Sequence, residues 1–90
     1  MSKPILTPYQ EAVLSAIAAL HSGYGVTIRR FVRENFGFNF SYGQLYLTLD
    51  SLERLNFITT FPEAGGPVRG GRRKRIANIT EQGKEFLKAN

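Results

Sequence analysis

The stretch FITTFPEAGGPVRGGRRKRIANIT, residues 57–80, decides how the rest of the chain is read. Its two ends, FITTF at 57–61 and RIANIT at 75–80, are β-branched and aromatic, the composition that favours strands. Between them lie Gly65, Gly66, Gly70 and Gly71, with Pro62 and Pro67, and then a dense run of cations. Two strands joined by a long polar loop predict a β-hairpin over about residues 57–79.

The segments before the hairpin are helical. In TPYQEAVLSAIAALHSG, Thr7 and Gln10 form a capping box and Pro8 suits the first helical position. Val13, Leu14, Ile17 and Leu20 supply an apolar stripe, predicting a helix over about residues 7–21. GYGVTIRRFVRENFG carries Ile28, Phe31, Val32 and Phe36 at helical spacing and stops at Gly37, with Arg29, Arg30 and Arg33 off the stripe. In SYGQLYLTLDSLERLN, Ser41 and Gln44 form a second capping box, and Leu45, Leu49 and Leu52 share one face. At about 100° per residue, Gly43, Tyr46, Leu47, Asp50 and Arg54 point away from that face. Leu55 packs at the helix edge and Asn56 is the predicted C-cap. After the hairpin, TEQGKEFLKAN predicts a short helix capped by Thr80.

Three helices, a hairpin and a last short helix make an α+β fold of the winged helix-turn-helix type. In that arrangement the third helix enters the major groove of DNA, and the hairpin, or wing, lies along the backbone or in the minor groove. A chain of 90 residues suits one small domain, residues 1–90, and its 42% apolar and 12% aromatic content is that of a folded protein.

The segments GYGVTIRRF, FSYGQLYLTLDSLERLNFI and GGRRKRIANITEQGKEFL together resemble the PadR-like family of winged-helix transcriptional regulators. The features carrying the resemblance are Gly23 and Tyr24; Leu45, Tyr46, Leu49, Leu52 and Ile58; Arg72 to Arg75; and Thr80, Glu81 and Gly83. It covers about residues 10–87 and implies a DNA-binding regulator, often a repressor, acting as a homodimer. Family members usually carry an aromatic where this chain has Ile76 and Ala77, and usually continue into a long C-terminal dimerisation helix. The apolar face of the first helix, with Ile5, Leu6 and Tyr9, is the candidate dimer contact here.

The charge supports a polyanionic partner. Twelve Lys/Arg oppose seven Asp/Glu, and the whole excess of +5 is held by Arg69, Arg72, Arg73, Lys74 and Arg75. These five are the candidate wing contacts to phosphate; a merely solvated loop is the bland alternative. PVRGGRRKR lacks the second proline of an AT-hook, and the glycines lack the Gly-Lys-Ser/Thr of a phosphate-binding loop. From the third helix the candidates are Ser41, Tyr42, Gly43, Gln44, Tyr46 and Leu47. Tyr46, half-exposed beside the leucine stripe, offers a hydroxyl to phosphate. Gln44 suits an adenine edge as well as it suits its cap, and Leu47 suits a thymine methyl. Ser41 is a cap that can also donate to phosphate. Arg29, Arg30 and Arg33 are candidate backbone contacts from the second helix.

Other classes find little support. No cysteine is present, His21 stands alone, and no nucleophile motif occurs, so no catalytic residue, metal or cofactor is expected. No apolar run approaches the roughly 20 residues of a membrane span, no signal peptide is read, and a cytoplasmic location is expected. No small-molecule effector is assigned. The rival readings are a winged-helix protein-interaction module, suggested by Asp50 and Glu53 on the third helix, and a double-stranded RNA binder.

Overall fold

The computed structural model describes residues 5–21, 23–62 and 75–89. Its elements run α1 (Pro8–Leu20), β1 (Gly23–Tyr24), α2 (Gly25–Phe36), α3 (Tyr42–Arg54), β2 (Ile58–Pro62), β3 (Arg75–Ile79) and α4 (Glu81–Ala89). Apart from the short β1, this is the expected α+β winged-helix order.

The predicted caps position the helices. The Gln10 N–H donates to Thr7 Oγ1 at 3.2 Å, and the Thr7 N–H donates back to Gln10 Oε1 at 2.9 Å. At α3 the structure records only the forward half of the expected box, the Gln44 N–H donating to Ser41 Oγ at 3.2 Å. Gly37 ends α2 in the left-handed region, φ 78°, where its missing Cβ removes the steric cost. Asn56 ends α3 the same way, φ 65°. Its N–H donates to Glu53 O at 2.9 Å and the Phe57 N–H donates to Leu52 O at 3.0 Å, the paired bonds of a Schellman stop.

The core joins Val13, Leu14 and Ile17 of α1, Ile28 and Val32 of α2, Leu45, Leu49 and Leu52 of α3, and Ile58 and Ala77 of the sheet. Burial of these side chains away from water is the main stabilising term. Thr48 is buried among them, its hydroxyl donating to Gln44 O at 2.9 Å, which removes the cost of an unpaired polar group.

Three expectations need correction. The sheet has three antiparallel strands in the order β1-β3-β2, not two. Gly23 and Tyr24 pair with Ala77 and Ile76, and a two-residue strand is too short to show alternation in sequence. Phe36, assigned to the apolar stripe of α2, is 46% exposed, because it is the last residue of the helix before the Gly37 turn. Leu6 and Tyr9 are not a free dimer contact. Both are buried in the chain's own core, Tyr9 packing on Phe38 and Phe40 with centroids 5.6 and 4.1 Å away, while Ile5 alone stays exposed.

The turn between α2 and α3 is held by Arg29. Its Nε donates to Phe40 O at 2.7 Å, and its guanidinium lies over the Tyr42 ring, 4.8 Å from the centroid. Replacing Arg29 by alanine is expected to lower stability by about 1 kcal/mol, the charge-assisted bond being discounted for its exposed setting. That corresponds to a drop in Tm of roughly 4–8 °C in thermal unfolding. Arg30→Ala, at an exposed position, should stay within about 0.5 kcal/mol of the parent.

Candidate nucleic-acid interface

Only part of the circumference of helix α3 is buried. Leu45, Thr48, Leu49 and Leu52 face the core. Ser41, Gly43, Gln44, Leu47 and Asp50 are exposed, and Leu47 is 64% exposed on a helix whose other leucines are all buried. Tyr42 and Tyr46 are half-buried and stack on each other with centroids 6.5 Å apart. The Tyr46 hydroxyl reaches the first residue of α2: a Cβ added to Gly25 would stand 3.1 Å from it. Tyr46 therefore packs α3 onto α2 and leaves a ring edge at the surface.

The arginines separate into two kinds. Arg29 is committed to Phe40 and Tyr42, and its Nη2 also donates to Asn39 Oδ1 at 3.4 Å. Arg30 and Arg33 on α2 are exposed. Burial pushes the Tyr9 phenol above its usual pKa of 10.0, and the Arg29 charge acts in the opposite direction.

Of the five cations expected in the wing, Arg69, Arg72, Arg73 and Lys74 lie outside the described residues. Arg75 opens β3 and turns toward α3. Its Nη1 meets Asp50 Oδ1 at 3.1 Å, its Nη2 meets Glu53 Oε1 at 3.5 Å, and the same Nη2 donates to Thr60 Oγ1 at 3.1 Å. The Thr60 hydroxyl donates onward to Glu53 Oε1 at 3.0 Å, and the Thr60 N–H donates to Glu53 Oε2 at 3.3 Å. Arg75 also lies 6.0 Å from the Tyr46 ring centroid.

This network binds β2 and β3 to α3, and sequence reasoning did not find it. The available signal was the pair Asp50 and Glu53, three residues apart and so neighbours on one helical face, opposite a basic strand end.

The base of the wing is closed by a second set of bonds. The Thr80 hydroxyl donates to Asn56 O at 2.6 Å and accepts from the Gly83 N–H at 3.1 Å, while the Thr80 N–H donates to Phe57 O at 3.0 Å. The hairpin thus springs from a frame made by the end of α3 and the start of α4.

Among the described residues no group of His, Asp and Glu could hold a metal ion, and no helix is long and apolar enough to cross a membrane. No curated protein matches the chain closely enough to count as a relative. Among solved structures, a PadR family transcription regulator from Clostridium difficile R20291 superposes with a TM-score of 0.74 at 28% identity, covering 92% of this chain and 82% of that one. RosR of H. salinarum shares the fold at 21% identity and a TM-score of 0.73, over 93% of this chain and 69% of that one. So does BpsR of Bordetella bronchiseptica, a protein whose DNA binding is regulated by 6-hydroxynicotinic acid, at 15% identity and a TM-score of 0.76, over 99% of this chain and 59% of that one. Residues 13–89 match the family model described as the transcriptional regulator PadR-like family, so the chain belongs to that family of winged-helix DNA-binding transcription regulators.

Proposed function

We propose that the chain is a cytoplasmic, homodimeric repressor that reads duplex DNA with the N-terminal half of α3 and grips the backbone or minor groove with its wing. Ser41, Tyr42, Gly43, Gln44, Tyr46 and Leu47 face the major groove in this reading. Arg69, Arg72, Arg73 and Lys74 neutralise phosphates from the wing, and Arg30 and Arg33 do so from α2.

The observation that carries the reading is the exposed Gly43, Gln44 and Leu47 surface at the start of α3. Glycine lets the helix approach closely, glutamine can bond an adenine edge, and a bare leucine can meet a thymine methyl. Asp50 and Glu53 do not argue for a protein partner, because both carboxylates already have an internal cation in Arg75.

The test is a titration of a labelled random-sequence DNA duplex by fluorescence anisotropy, between about 50 and 300 mM salt. Affinity should fall with a log–log slope of about −0.9 for each phosphate contacted, so a slope of several units is expected. An RNA duplex of the same sequence should compete poorly, since its deep, narrow major groove does not admit a helix. Equal competition by RNA, or no binding at the lowest salt, would sink the reading.

A further inference from the structure

We infer that Arg75 is a positioning residue and not a phosphate contact: it is the internal counter-ion that lets α3 face a polyanion. The inference rests on the reading that α3 meets DNA. Without Arg75, α3 itself holds Asp50 and Glu53 against Arg54 alone, a net negative charge on the helix meant to approach phosphates. With Arg75 in place both carboxylates meet one shared guanidinium, at 3.1 and 3.5 Å, and together with Arg54 it brings the net charge of these side chains to zero.

Three observations on Arg75, the cation of the basic run that lies among the described residues, carry the inference. Its side chain is only 27% accessible, although it stands at the end of the most basic segment of the chain. Three of its five N–H donors are engaged, one on Nη1 with Asp50 and those of Nη2 with Glu53 and Thr60, which holds the guanidinium against α3. And Thr60 locks the same carboxylate through two further bonds, which fixes Glu53 for the guanidinium to meet. A planar guanidinium can hold two carboxylates and a hydroxyl at once, whereas a lysine ammonium would act there as a point charge.

The network also sets the direction of the wing. Pro62 and Arg75 are partners at the open end of the β2–β3 ladder, the last described pair before the loop. Tying Arg75 to α3 therefore fixes where the loop leaves relative to the recognition helix.

The experiment compares the parent with Arg75→Ala, with Asp50→Asn/Glu53→Gln, and with the triple variant, all confirmed folded by thermal unfolding. Each is titrated with the same labelled duplex across the same salt range. Arg75→Ala should weaken binding about tenfold or more, since two carboxylates are released beside the DNA. Adding Asp50→Asn and Glu53→Gln should restore the parent affinity to within about threefold, with the salt slope back to the parent value, because no phosphate contact was removed.

A triple variant that stays weak, with a slope flatter by about 0.9, would mean that Arg75 grips a phosphate and would overturn the inference. If the parent itself does not bind, the proposed function falls and this inference with it. If the parent binds and the triple variant is not rescued, only the role of Arg75 falls.

Discussion

Replacing Gly83 by alanine should destabilise the protein by about 2–3 kcal/mol, although alanine is the better helix former by up to about 1 kcal/mol. A Cβ at this position would stand only 2.3 Å from the Phe57 carbonyl oxygen and 2.8 Å from Ile79 Cγ1. The first obstacle is backbone, so relief requires moving the start of α4 away from the end of α3. That movement would also strain the Thr80 bonds to Asn56 and Phe57. For a domain of this size the expected loss is a fall in Tm of roughly 10–20 °C.

The control is Gly43→Ala in the first turn of α3, where the added Cβ meets nothing nearer than Ser41 Oγ at 3.7 Å. It should be neutral or stabilising by up to about 1 kcal/mol. Equal losses at the two glycines in differential scanning calorimetry would refute the steric argument.

The second large effect is on binding. Changing Arg69, Arg72, Arg73 and Lys74 together to alanine should flatten the salt dependence of DNA binding by up to about 3.6, if each cation meets one phosphate. Near 100 mM salt that corresponds to a loss of roughly a thousandfold in affinity. Folding should be unaffected, because arginine and lysine side chains in a glycine-rich segment are rarely part of a buried core. A variant that binds as the parent does, with the same slope, would transfer the electrostatic role to α2 or to another surface.

Much of this was legible in the sequence because it is local. The caps at Thr7, Ser41 and Thr80, the stops at Gly37 and Asn56, and the leucine stripe of α3 each depend on residues within a few positions of one another. What escaped was long-range. The pairing of Gly23 and Tyr24 with β3 needs the folded chain to bring them together. The same is true of the contacts of Arg75 with Asp50 and Glu53, which the sequence offered as a candidate phosphate contact and as two acids suggesting a protein partner.

The inward turn of Leu6 and Tyr9 was missed for a related reason. Their partners Phe38 and Phe40 sit in a short connection that carries no periodicity. Arg29, expected on the DNA side, is drawn to the same connection by the Phe40 carbonyl and the Tyr42 ring.

The frame at the base of the wing has a bearing on how such a regulator diversifies. Thr80, Gly83, Asn56 and Phe57 fasten one end of the hairpin, and Arg75, Thr60 and Glu53 fasten the ladder near the other. The cost of closing the hairpin is met by these contacts, and lengthening the intervening loop adds only about 0.6 kcal/mol per doubling. New cations, deletions or insertions between β2 and β3 can therefore be tried by mutation while the core is left alone. Target preference carried by the wing can drift on a faster evolutionary clock than the scaffold that presents it.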